Sequence, residues 1–153
     1  MPTFQEISPD NDLKKMIHSA FDLDLDISGA WGYNAKEATV IHSLDVQLSQ
    51  LEHRLASLRA YIEMNMTLSP EERYASISLK ELSRRQEKYD LITYDVLSYE
   101  ITAMQESIYE RFISEYKEMY GKKEFNMTKH FEERKEKTLS RTIEYWFAIS
   151  QIL

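Results

Sequence analysis

Residues 34–62 read NAKEATVIHSLDVQLSQLEHRLASLRAYI, and their apolar side chains have the most regular spacing in the chain. These side chains fall alternately three and four residues apart, at Ile41, Leu44, Leu48, Leu51, Leu55, Leu58 and Ile62. On an α-helix such heptad spacing forms one narrow stripe, which has to be buried against other helices of the same chain or of a partner. Asn34 and Glu37 have the spacing of a capping box, so we predict that this helix begins at Asn34.

Helix-breaking residues are scarce beyond this stretch. Between residues 34 and 120 there is one proline and no glycine. The sequence Ser69-Pro70-Glu71-Glu72 is typical of a helix start, and Gly121 is suited to a helix C-terminus. We therefore predict a second long helix over 70–120 and a third over 128–153.

The course of the second helix is open at residues 91–101, which read LITYDVLSYEI. On a helix this segment would be apolar or aromatic on nearly all sides. Its β-branched and aromatic side chains also favour a strand. Three structures fit this pattern: a kinked helix, a strand, or a break in the helix that turns three long helices into four.

The first 33 residues have a different pattern. Ser8-Pro9 predicts the start of a short helix, and residues 21–33 combine an alternating apolar and acidic segment with a glycine-hinged loop, SGAWGY. Together these predictions describe a single all-α domain over 1–153. Its main part, over 34–153, is expected to be a bundle of long, antiparallel, amphipathic helices.

The composition limits the classes of partner and location. A net charge of −7 argues against nucleic acid, because binding to phosphates needs a basic surface. The chain contains no cysteine, which excludes disulfides and thiolate chemistry. No run of about 18 apolar residues occurs. The first residues also lack the pattern of a secretion signal, so we expect a cytoplasmic protein without a membrane span.

Candidates for catalysis and metal binding are weak. His42 with Asp45, and His130 with Glu133, have the spacing of chelating pairs on a helix, but a surface histidine is more often solvated. No serine lies in a Gly-x-Ser-x-Gly turn. Carboxylates that could hold magnesium, or simply form intrahelical ion pairs, lie at Glu115, Glu118, Glu132, Glu133 and Glu136. We predict no catalytic residue, no metal and no cofactor.

The segment best suited to binding is the loop near the N-terminus. It concentrates glycines, aromatic residues and aspartates outside the predicted helices, and loops carry function more often than scaffolds do. The apolar end of the third predicted helix adds two aromatic side chains that could hold a partner. The predicted partner-binding residues are Asp22, Asp24, Asp26, Gly29, Trp31, Gly32, Tyr33, Trp146 and Phe147.

The leading hypothesis is a non-enzymatic interaction or regulatory protein, such as an adaptor, a chaperone or an inhibitor. Ten tyrosines and seven methionines suit adaptable contact surfaces. The acidic charge favours a basic protein partner. One alternative is a small all-helical hydrolase that uses carboxylates and a divalent metal. Another is a self-assembling helical protein whose heptad stripe forms a coiled coil in a homodimer.

Overall fold

A long β-hairpin, and not a helix, forms the middle of the chain. The structure is a computed structural model, and it describes residues 4–122 and 126–153. Its helices and strands are α1 (Leu13–Phe21), β1 (Ile27–Gly29), β2 (Thr39–Ile41), α2 (Leu48–Tyr61), β3 (Tyr74–Tyr89), β4 (Ile92–Gln105), α3 (Glu106–Met119), α4 (Met127–Lys137) and β5 (Leu139–Ala148). A π-helical turn, Ile62–Met66, extends α2, and short 3-10 turns lie at Pro70–Glu72 and Ser150–Ile152. None of the helices in the described part of the chain combines the length and the apolar character needed to cross a membrane.

The five strands form one mixed sheet in the order β1-β2-β5-β4-β3. Strands β2 and β5 are parallel, whereas all other neighbouring strands are antiparallel. The last strand in sequence is therefore the middle strand of the sheet. The edges are β1 and the long strand β3.

The main core lies between one face of the sheet and the helices α1 and α2. Leu97 of β4 and Tyr145 and Phe147 of β5 pack there against Leu51 and Leu55 of α2, and all five side chains are buried. The helices α3 and α4 pack against each other and connect β4 to β5. The core is thus built from a sheet and helices, and not from helices alone.

The prediction of an all-α bundle is wrong, and residues 70–120 show the reason. The apolar run in β4 is that of a strand with both faces buried, which periodicity cannot distinguish from a buried helix. The preceding strand, β3, is rich in Lys, Arg, Glu and Gln because it is an exposed edge strand. Asp90 and Leu91 turn the chain with φ of 50° and 69°. This positive-φ turn lacks the Asn-Gly or Asp-Gly signal of a hairpin.

The first and third predicted helices are also partly wrong. Helix α2 begins at Leu48, and the residues before it include β2. The heptad stripe forms no coiled coil, because Leu51 and Leu55 pack against the sheet of the same chain. Asn34 does bond to the backbone of Glu37, at 2.9 Å, but this bond closes a turn and not a helix start. The third predicted helix ends at Lys137, and its apolar second half is β5.

The N-terminal predictions fare better. The short helix is present as α1, but it begins at Leu13 and not at Ser8-Pro9. The Asp12 carboxylate accepts a hydrogen bond from the Lys15 amide at 3.1 Å and caps the first turn. The extended segment is only partly as predicted. Asp22 adopts a left-handed conformation with φ of 54° at the end of α1, and strand pairing covers only Ile27–Gly29.

Candidate functional site: a buried arginine pocket

Arg59 lies near the end of α2 and is 1% exposed. Its Nη1 donates to the Trp31 carbonyl at 2.9 Å, and its Nη2 donates to the Glu144 carbonyl at 2.7 Å. The guanidinium lies over the rings of Tyr33 and Tyr145, at 4.4 and 4.5 Å from their centroids. Within the described residues no carboxylate forms an ion pair with Arg59. Carbonyl dipoles and π faces therefore hold its buried charge.

A carboxylate and a second arginine lie beside this guanidinium. Glu63 is 1% exposed and belongs to the π-helical turn that extends α2. One of its oxygens accepts from Arg141 Nη2 at 3.1 Å, and the other accepts from the Tyr33 hydroxyl. Such π-helical turns occur often at functional sites, because the extra residue rotates the side chains that follow.

The Tyr33 hydroxyl is a fixed donor in this arrangement. Burial raises the pKa of Tyr33 well above its ordinary value of 10.0, and the adjacent Glu63 carboxylate raises it further. The phenol therefore stays protonated and donates a hydrogen bond to the Glu63 carboxylate. Its oxygen also accepts from the Ile7 amide at 2.9 Å, which ties the N-terminal segment to the site.

These side chains surround a cavity of about 250 Å³. Its wall is formed by Phe4, Glu6, Tyr33, Arg59, Glu63, Arg141, Thr142, Ile143 and Glu144. Of the three glutamates in this wall only Glu63 is buried, and two guanidinium groups lie beside it. Glu6 is exposed, and the Glu144 carboxylate is 3.1 Å from Arg85. Two buried guanidinium nitrogens, Arg59 Nε and Arg141 Nη1, have no hydrogen-bond partner among the residues that the structure describes.

A tightly packed loop holds Tyr33 in place. Gly32 has φ of +78°, and a Cβ atom there would lie 2.1 Å from the ring of Tyr145. The Gly32 carbonyl accepts from the Trp146 amide at 2.8 Å, and its amide donates to the Glu37 carbonyl at 2.6 Å. Only glycine fits this position, and its neighbour Tyr33 is thereby fixed against Arg59.

The structure separates the predicted partner-binding residues into different environments. Trp31 and Phe147 are fully buried in the core, and Gly29 closely approaches the Ala38 carbonyl. Trp146 is half-buried on the opposite face of the sheet, where it packs against Tyr94. Partner binding by these residues stays a prediction.

The three predicted aspartates lie apart from the arginine pocket. Asp22 ends α1, and Asp24 is exposed and 3.9 Å from Lys14 Nζ. Asp26 accepts from the Ser43 hydroxyl at 2.7 Å. Asp24 and Asp26 line a separate cavity of about 140 Å³. Three of the predicted residues, Trp31, Gly32 and Tyr33, do lie at the arginine pocket. Tyr33 lines it, and the Trp31 carbonyl accepts a hydrogen bond from Arg59.

Sequence reasoning missed Arg59, Glu63 and Arg141. A signal for the first two was present. Arg59 follows Leu55 by four residues, and Glu63 follows Arg59 by four, so both lie on the same side of the helix as the buried stripe. Arg141 had no local signal, because it reaches Glu63 only through the position of β5 in the sheet.

A second ionic cluster lies further along the covered face of the sheet. Glu52 of α2 is 0% exposed, and its Oε1 accepts from Arg84 Nη1 at 2.9 Å. Arg84 Nη1 also lies 3.5 Å from Asp95 Oδ2. Burial, followed by the neighbouring Asp95, raises the pKa of Glu52 from 4.5 to about 8. Two buried carboxyl groups thus share one guanidinium, which favours retention of one proton.

Three of the five acidic residues that suggested magnesium binding line a cleft of about 790 Å³ between α3 and α4. Glu115, Glu118 and Glu133 line it together with His130, whose Nδ1 is 3.2 Å from Glu115. Arg111 lines the same cleft and offsets part of the negative charge. Within residues 4–122 and 126–153, no group of three His, Asp or Glu side chains is arranged to hold a metal ion.

Comparison with protein-family models, with curated proteins and with solved structures found no match to this chain.

Proposed function

We propose that the protein is a binding protein whose arginine pocket takes the oxyanion group of a small ligand, either a carboxylate or a phosphate. The observation that carries the proposal is the buried charge of Arg59, which is held by carbonyls and aromatic rings and has no carboxylate ion pair among the described residues. A buried guanidinium that has no ion pair of its own is costly, and an anion placed against it in the cavity would offset part of that cost.

The donor geometry supports an oxyanion rather than an apolar ligand. The guanidinium of arginine presents its donors as a planar fork that matches carboxylate and phosphate oxygens. Arg59 Nε and Arg141 Nη1 are two such donors that no described residue satisfies. The cavity, at about 250 Å³, is below the usual range of roughly 300–1,000 Å³ for drug-sized ligands. It therefore suits the charged group of a ligand, with the remainder outside.

The remaining side chains of the pocket suit the binding of a ligand better than catalysis. Glu63 is engaged by Tyr33 and Arg141, so its oxygens already accept strong hydrogen bonds. This arrangement fits the hypothesis of a binding or regulatory protein without enzymatic activity. The net charge of −7 repels anions at a distance. We therefore expect moderate salt to speed association, since it screens that repulsion.

The test is calorimetric titration with small oxyanions, using acetate, succinate, inorganic phosphate and phosphoserine as probes. We expect at least one probe to bind the wild type, and Arg141→Gln to weaken it about 10- to 100-fold, as the loss of one charged hydrogen bond does. Arg54→Gln, a change of an exposed arginine on the same helix, is the matched control and should leave affinity unchanged. Carboxylate and phosphate probes separate the two ligand types. Equal affinity of wild type and a folded Arg141→Gln variant would refute the proposal.

A further inference from the structure

Three side chains on the side of the sheet formed by β1, β2 and the end of β5 make a hydrogen-bonded relay. Ser28 Oγ lies 2.7 Å from His42 Nε2, and His42 Nδ1 lies 2.6 Å from Gln151 Oε1. Ser28 and Gln151 are exposed and His42 is half-buried, so the relay can be reached from solvent. It shares no residue with the arginine pocket.

The order of atoms determines where the protons lie. An amide oxygen only accepts hydrogen bonds, so Gln151 Oε1 requires the proton on His42 Nδ1. In this tautomer Nε2 has a free lone pair, which accepts the hydroxyl proton of Ser28. Nucleophile, base and a third group that orients the base have this same order in serine hydrolases of unrelated folds.

We propose that Ser28 is the nucleophile of an acyl-transfer site, with His42 as its general base and Gln151 as the residue that positions His42. The substrate class is an activated carboxylic ester, whose carbonyl carbon accepts the serine oxygen. This activity lies beyond the proposed binding function and does not depend on it. It also departs from the expectation that no serine is catalytic.

The reaction balances with water as the second reactant. Ser28 Oγ attacks the ester carbonyl while His42 Nε2 takes the hydroxyl proton, and the resulting imidazolium returns that proton to the departing alkoxide. Water then attacks the acyl-serine, with His42 again as the base, and releases the acid. The net change is ester plus water to acid plus alcohol.

Regular backbone structure fixes the relay. Strands β1 and β2 pair with Ile27 opposite Ile41, and the His42 amide donates to the Asp26 carbonyl at 3.0 Å. Gln151 follows β5, and its turn is held by the bond from the Thr93 amide to Ser150 Oγ at 2.8 Å. Each member therefore stands on an element whose position the sheet determines.

The proposed donor to the developing oxyanion is the backbone amide of Gly29, on the edge strand β1. The amides of Ala30 and His42 donate across the β1–β2 pair, to the carbonyls of Ala38 and Asp26. Because antiparallel ladder bonds fall on alternate residues, the amide of Gly29 points to the free edge of the sheet. Gly29 directly follows the nucleophile, which is the position from which one backbone amide stabilises the oxyanion in α/β-hydrolases.

The first experiment measures activation without a substrate. The chain contains no cysteine, so Ser28→Cys introduces a single thiol. If His42 activates position 28, the midpoint pH of iodoacetamide alkylation falls at least one unit below the usual thiol pKa of about 8.5. Ser140→Cys, at an exposed position on β5, is the control and should titrate near that usual value. Adding His42→Ala to Ser28→Cys should restore the usual value.

The second experiment measures acyl transfer in the full chain. With 4-nitrophenyl acetate we expect one acetyl group on Ser28, detected by peptide mass spectrometry. Its rate should fall about 100-fold in His42→Ala, which is typical for loss of a general base. Gln151→Leu should slow acylation, whereas Gln151→Glu should restore it and move the pH midpoint of the rate upward, because a carboxylate stabilises the imidazolium. A role of Gln151 in folding alone would not move that midpoint.

Two results would overturn the proposal. One is alkylation of Ser28→Cys with the same pH midpoint as Ser140→Cys. The other is hydrolysis of the ester that persists in Ser28→Ala without an acetylated serine in the wild type, which would mean that histidine imidazoles act alone. Circular dichroism of each variant ensures that a lost signal reflects the relay and not unfolding.

Discussion

We expect Glu52→Gln to stabilise the protein at alkaline pH and to remove a distinct pH dependence of its stability. Glu52 is fully buried and shares Arg84 with Asp95, and burial raises its pKa from 4.5 to about 8. The amide of glutamine is neutral at every pH. It can still accept from Arg84 through Oε1, and its NH₂ group can donate to Asp95.

The direction and the size of this pH dependence follow from the linkage between proton binding and folding. Below about pH 4.5 the Glu52 carboxyl is protonated in both the folded and the unfolded protein. Between pH 4.5 and about 8 it loses its proton in the unfolded chain but keeps it in the folded protein. Stability of the wild type therefore falls as pH rises through this window and becomes constant above it. At about 1.4 kcal/mol per pH unit the full loss is at most on the order of 5 kcal/mol. Water reaching the partly exposed Arg84 reduces it, so we expect roughly 2–4 kcal/mol.

The assay is urea unfolding of both proteins at half-unit steps from pH 5 to pH 9. The variant should have nearly wild-type stability at pH 5 and exceed it by a difference that grows to pH 8. Glu81→Gln removes an exposed partner of the same Arg84 and is the matched control, because its effect should not vary with pH in this window. Parallel stability curves for wild type and Glu52→Gln would refute the reasoning.

Three further changes test other features. Gly32→Ala should destabilise by at least about 3 kcal/mol, since it combines a positive φ with a clash against Tyr145; a thermal midpoint near that of the wild type would contradict this account. Leu91→Gly should stabilise by about 1 kcal/mol in urea unfolding, because Leu91 is exposed with φ of 69° and Asp-Gly suits this hairpin turn; a loss would show that Leu91 makes a contact of its own. Iodide should quench fluorescence more in Trp31→Phe than in Trp146→Phe, because only Trp146 reaches solvent, and the reverse order would place Trp31 at the surface.

The sequence contained enough to locate parts of the fold but not its class. The apolar spacing identified α1 although not its start, and the stripe of Leu51 and Leu55 identified the buried side of α2. The hairpin was missed because most side chains of β3 are exposed, so its place in the fold depends mainly on backbone pairing with β4. Helix-favouring residues on an exposed edge strand carry little information about that pairing, since tertiary context overrides propensity.

The candidate sites show a similar division between local and distant signals. The aromatic and glycine content of the loop at 28–33 indicated a specified backbone, and Tyr33 does contribute to the arginine pocket. The charges that define the pocket come from α2 and β5, which only the sheet brings together. Ser28 and Gln151 are likewise joined across most of the chain. Contacts of this range depend on strand order, and no local spacing encodes that order.

The position of β5 has a consequence for biosynthesis. A ribosome delivers β1 to β4 well before Leu139, yet the two halves of the sheet, β1–β2 and β3–β4, are joined only through β5. Until that strand emerges, the nascent chain can hold two separate hairpins with the inner edges of β2 and β4 unpaired. Completion of the sheet therefore waits for β5 and depends on long-range pairing, which is intrinsically slow. During that interval the unpaired edges of β2 and β4 are open to pairing with the strands of other chains.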